Sequence, residues 1–156
     1  MTFAQRLAEG RFAVALEITP PQRRLPKVLL RRARLLGDAA QAVNVIQRPD
    51  RQSSLEASLE LKAAGIEPVW HLVTRGRSRE EVAGEVGRAA AGGIGQVLCI
   101  RGDRAGSAEA ARELTVREAV AMVRSAMPAA VIGATLNQYV ADRAAALRNL
   151  YPKLRA

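Results

Sequence analysis

Cysteine is nearly absent from this chain, and Cys99 is the only one. A lone thiol excludes an intrachain disulfide and fits a reducing compartment. Histidine is as sparse, with His71 standing alone. Without Cys or His companions, His71 cannot complete a zinc site of the usual spacing. Aromatic residues are only 3% of the chain, so its core must be built from Ala, Val, Leu and Ile. No aromatic stacking platform, zinc spacing or recognition-helix pattern points to nucleic acid. No apolar run approaches the ~20 residues of a membrane-spanning helix. The segment Met1 to Gly10 carries Arg6 and Glu9 and lacks the apolar stretch of a signal peptide. The expectation is a soluble, cytoplasmic protein that binds neither membrane nor nucleic acid.

Arginine, by contrast, is plentiful. The formal net charge is +9 over 156 residues. Such a surface attracts polyanions, phosphorylated cofactors included. The densest run is Arg23, Arg24, Lys27, Arg31, Arg32 and Arg34. Its helical spacing reads as a solvated helix face. A hydrophobic content of 49% suits a globular fold, and the length suits one domain spanning 1–156.

Short β-rich runs alternate with longer helical patterns. Strands are expected at Arg11–Thr19, Ala42–Ile46, Glu67–Val73, Gly95–Ile100 and Ala129–Ala134. Helices are expected at Leu25–Gly37, Ser53–Ala64, Ser78 to about Ala91, Thr115–Met127 and about Tyr139–Lys153. Ser78 with Glu81 three residues on is a capping box, which marks a helix start. Five β-then-α units predict an α/β fold with a parallel sheet. Two architectures compete. A doubly wound sheet closes at this size. A β/α barrel needs eight strands and roughly 250 residues. The first strand is not followed by Gly-x-Gly-x-x-Gly, so a dinucleotide-binding first turn is not indicated.

In both architectures ligands bind at the carboxyl ends of the strands. Glu17 falls near the end of the first strand, Asn44 within the second and His71 near the end of the third. Arg101, Gly102 and Asp103 follow the fourth; Thr135, Asn137 and Tyr139 follow the fifth. A pocket around Glu17 would penalise its charge, raise its pKa and suit it to general-acid work. The alternative is a partly exposed Glu on an edge strand. In the loop, Gly permits close backbone approach, Arg pairs with phosphate, and Asp accepts from a ring N–H or hydroxyl. Each of these features also occurs in ordinary turns. Cys99, inside a strand, reads as inert packing.

The order of the segments carries a resemblance. Leu16-Glu17-Ile18-Thr19-Pro20-Pro21, Ala42-Val43-Asn44-Val45, Gly65-Ile66-Glu67-Pro68 leading into His71-Leu72-Val73-Thr74, Gly93-Ile94-Gly95-Gln96-Val97-Leu98 leading into Arg101-Gly102-Asp103, and Asn149-Leu150-Tyr151-Pro152-Lys153-Leu154 resemble successive segments of methylenetetrahydrofolate reductases. The resemblance implies parallel β/α units of a TIM-type barrel, with about five of eight strands present. It also implies FAD as cofactor, NADH or NADPH as reductant, and methylenetetrahydrofolate or a related pterin as substrate. Glu17 then matches the acid that opens the folate's five-membered ring. Asp103 matches the carboxylate beside the flavin and folate. His71, Arg101 and Gly102 match flavin-contacting positions. Thr135, Tyr139, Asn149 and Lys153 fall near positions serving the outer part of FAD, with Lys153 suited to its phosphates.

The chain also departs from the family pattern. Ile46 stands where the family usually has a Thr. Arg75-Gly76-Arg77-Ser78 lacks a carboxylate found in one branch, and the loop after the fifth strand lacks an aromatic-Pro-Glu pattern. Family members continue through about three more strands beyond the point matching Ala156. That implies a fragment, a homo-oligomer, or a second chain completing the barrel. The readings are therefore a reductase, a non-catalytic flavin- or folate-binding protein, and a partner subunit without cofactor.

Overall fold

A short helix that no periodicity announced opens the chain: α1, Phe3–Ala8. It forms because Thr2 and Gln5 make a reciprocal capping box that satisfies two backbone donors. The structure is a computed structural model and describes residues 1–102, 114–136, 139 and 141–156. Five strands follow in alternation with helices: β1 (Ala15–Ile18), α2 (Pro26–Ala33), β2 (Ala42–Val45), α3 (Ser54–Ala63), β3 (Pro68–Val73), α4 (Arg79–Ala91), β4 (Gln96–Ile100), α5 (Val116–Ala126), β5 (Val131–Ala134) and α6 (Arg143–Leu154).

The helix starts are written locally. Ser53, Ser78, Thr115 and Asp142 each accept a hydrogen bond from a backbone amide in the first turn of the helix they precede. Helix α2 starts on Pro26, whose fixed φ suits the first helical position. It ends earlier than the expected Gly37. Bonds from Leu35 N to Arg32 O (3.3 Å) and from Gly37 N to Arg34 O (3.0 Å) tighten the chain into turns before β2. Strand β1 is shorter than expected because Phe12, at 84% exposure, lies outside the sheet. Pairing begins at Ala15, opposite Ala42.

All five strands are parallel, and their order across the sheet is their order in sequence, β1-β2-β3-β4-β5. One face is covered by helices. Ile18, Val43 and Val45 pack with Leu29 and Ala33 of α2 and with Ala57 and Leu61 of α3. Trp70, Leu72, Val97 and Cys99 pack with Leu55 of α3, Val82 and Val86 of α4, and Val120 and Val123 of α5. A doubly wound sheet would reverse its strand order and carry helices on both faces. The sequential order with one covered face is the winding of a β/α barrel, of which these are five strands.

Fully burying side chains such as Leu29, Leu61 and Leu72 contributes about 1.5–3 kcal/mol each before entropy is counted. Cys99 is fully buried, and burial pushes its thiol up to about 12, which makes it inert packing. Along α2, Arg23, Arg24, Lys27, Arg31 and Arg34 are exposed, as a solvated face requires. Arg24 pairs with Glu60, and Arg32 turns inward to donate to Thr19 O at 2.6 Å. Among the described residues, no helix is long and apolar enough to cross a membrane.

Candidate active site at the carboxyl ends of the strands

Side chains alternate along a strand, so the residues between the packed positions point to the uncovered face, the lumen side of a barrel. These are Glu17, Asn44, Val69, His71, Leu98 and Gly133, aligned by the strand register. Glu17 lies opposite Asn44. Asn44 Oδ1 and His71 Nε2 are 3.3 Å apart. His71 is 5% exposed, and Ser54 Oγ donates to its backbone oxygen at 2.9 Å. Burial holds the His71 imidazole below its usual value of 6.5, while the nearby charge of Glu17 acts in the opposite sense.

Glu17 is not enclosed by the described residues. Its side chain is exposed, because β1 is an edge strand with a neighbour on one side only. Exposure at an edge is the placement that the second reading of Glu17 describes.

The loop after β4 is held closely. Thr74 N donates to Ile100 O at 3.0 Å, Arg75 N to Arg101 O at 2.9 Å, and Arg75 Nε to Gly102 O at 3.2 Å. Gly102 has φ +90°, and a Cβ there would stand 2.6 Å from Val73 Cγ1. Val73 is β-branched and cannot easily swing aside. Gly102→Ala is therefore expected to lower stability by about 1–3 kcal/mol in urea denaturation. In a Val73→Ala background the cost should shrink to the backbone part alone. An equal cost in both backgrounds would show that the clash does not exist. Asp103 and Asn137 lie outside the described residues.

A second group of site residues gathers between Arg101, the start of α5 and α6. A cleft of about 560 Å³ is lined by Arg101, Leu114, Thr115, Arg117, Asn149 and Lys153, among others. Lys153 Nζ donates to Thr135 O at 3.2 Å, tying α6 to the end of β5. The N-terminus of α5 opens beside Thr115, which adds a partial positive charge to those of three side-chain cations. Thr115 also holds the Glu118 carboxyl below its usual range through a hydrogen bond from its hydroxyl. Two other clefts of comparable size, about 560 and 530 Å³, are lined by residues of α4, α5 and α6 and the segment after α6, with no strand end among them.

Of the residues expected from sequence, the structure brings Arg101, Asn149 and Lys153 together, with Thr135 attached through Lys153. Glu17 and His71 share the uncovered sheet face. Tyr139 is 87% exposed and does not line the cleft. Thr115 and Arg117 were missed as site residues. Their signal was a Thr115-to-Glu118 capping box at the start of the helix that follows β4, the same signature as Ser78 and Glu81.

The donor set carries the charge that a diphosphate-bearing ligand such as FAD needs. Arg101, Arg117, Lys153 and a helix N-terminus suit a diphosphate. Gly133 leaves the lumen face flat where a Cβ would stand 3.1 Å from Leu98 Cδ1, and flatness suits a planar ring.

Sequential parallel β/α units with a polar, partly basic face at the strand ends define a protein of the β/α-barrel class. The chain belongs to the methylenetetrahydrofolate reductase family, whose sequence model matches residues 2–152. No individually curated protein matches the chain.

Proposed function

We propose that this chain binds FAD at the carboxyl ends of its strands. There it serves the NADH- or NADPH-dependent reduction of methylenetetrahydrofolate, or a related pterin, to the methyl form. The observation that carries the reading is the convergence of Arg101, Asn149 and Lys153 on one cleft beside the β4 loop. When bound, the flavin supplies hydride transfer between the nicotinamide and the folate's one-carbon unit. Arg101, Arg117 and Lys153 neutralise the diphosphate. Glu17 delivers a proton to the folate ring nitrogen, opening the five-membered ring and exposing an iminium carbon. Asp103 supplies the second carboxylate.

The sheet has two open edges, β1 and β5, and open edges recruit further strands. In this reading those edges pair with further strands. A second functional reading, flavin or pterin binding without turnover, is favoured by the exposure of Glu17 beside an open edge.

Titration with FAD should quench flavin fluorescence to a saturating end point. NADH or NADPH should then bleach the bound flavin, and added methylenetetrahydrofolate should restore its colour. Binding without bleaching selects the second reading. Absence of binding rejects both.

A further inference from the structure

Asn44 lies between the two functional groups on the uncovered sheet face, opposite Glu17 in the β1–β2 register and bonded to His71 across β2 and β3. We propose that Asn44 is a positioning residue: its side-chain oxygen holds His71 as the tautomer protonated at Nε2, leaving Nδ1 to accept from an N–H of a bound heterocycle. This rests on the flavin site proposed above for the identity of the heterocycle, not for the tautomer.

The geometry constrains the proton. An amide oxygen only accepts, so an imidazole nitrogen 3.3 Å from Asn44 Oδ1 must carry the hydrogen. In a neutral ring the other nitrogen is then an acceptor. Burial of His71 favours the neutral ring. Among the described residues, Asn44 is the hydrogen-bond partner of the ring, and Nδ1 has none. The backbone is pinned as well, since Ser54 Oγ holds the His71 carbonyl. The ring therefore has a fixed strand beneath it, one partner among the described residues and an acceptor nitrogen on the sheet face that the helices leave uncovered. Flavins and pterins both present ring N–H donors that match such an acceptor.

Because His71 is the only histidine, its ring can be read without assignment. The test is ¹⁵N NMR of protein labelled at histidine, at about pH 8, where an imidazole of ordinary pKa is neutral. The ligand-free protein should show one dominant species with the proton on Nε2. Asn44→Leu should give a mixture with a Nδ1-protonated population, and Asn44→Asp, which keeps an acceptor oxygen, should restore the single species. Saturating FAD should shift the Nδ1 resonance of the wild type. FAD affinity should fall about tenfold in Asn44→Leu, the loss of one well-placed hydrogen bond, and return in Asn44→Asp.

A wild-type ring protonated at Nδ1 overturns the proposal, and that measurement needs no variant to fold. A Leu variant with the wild-type tautomer also overturns it, as does a Nδ1 resonance indifferent to bound FAD. If FAD does not bind the wild type at all, the flavin reading fails, while the ligand-free spectra still decide the role of Asn44.

Discussion

Glu17→Gln is expected to leave FAD affinity within about twofold of wild type and to slow folate reduction by about 10²–10⁴, the range for a lost general acid. Glutamine preserves the shape of the side chain and removes the proton it can give. The side chain is exposed, so the fold should lose no more than about 0.5 kcal/mol. The loss should appear only in the folate half-reaction. Bleaching by NADH or NADPH should proceed at the wild-type rate, because no step of ring opening enters it. A built-in control sits two strands away: the charge of Glu17 raises the proton affinity of His71, so the variant should titrate its histidine at lower pH. An unchanged His71 titration would show that the two groups do not share a field. Equal folate turnover would remove Glu17 from the mechanism.

The alternation of elements was legible because each unit carries its own punctuation. Apolar runs mark the strands, and hydroxyl or carboxylate caps mark the starts of α3, α4, α5 and α6. The choice between a doubly wound sheet and a barrel was not legible from these signals. Both architectures ask the same of each local segment, and strand order is a property of the assembled sheet. One clue was present: Glu17, Asn44 and His71 each fall between apolar neighbours, as they must if one face of the sheet lacks a helical cover. Helix α1 was missed because it buries no residue and so has no core-facing period to detect. The exposure of Glu17 was undecided for a related reason, since edge status follows from which strand closes against β1. The cleft was half legible. Arg101, Asn149 and Lys153 came from a resemblance of segments far apart in the chain, whereas Arg117 was hidden among many arginines with nothing local to single it out.

The paired substitution Arg101→Ala with Lys153→Ala is expected to weaken FAD binding by about 10² or more. A hydrogen bond to a charged group is worth roughly 1.5–3 kcal/mol, and the openness of a surface cleft to salt holds each contact near the lower end. Each single change should therefore cost about tenfold. The pair should cost the product if the two cations meet different phosphate oxygens, and less than the product if Arg117 moves in to compensate. Lys153 also donates to Thr135 O, so its loss frees the end of β5 from α6. Lys153→Gln separates the two effects, because its amide keeps an N–H donor for Thr135 O and loses the charge. Riboflavin supplies the decisive comparison. It carries the ring without phosphates, so its affinity should be the same in wild type and double variant. The salt dependence of FAD binding should flatten in the variant, since fewer cations meet the diphosphate. Equal losses for riboflavin and FAD would mean that the substitutions disturb the fold around the ring, and would move the phosphate site away from this cleft.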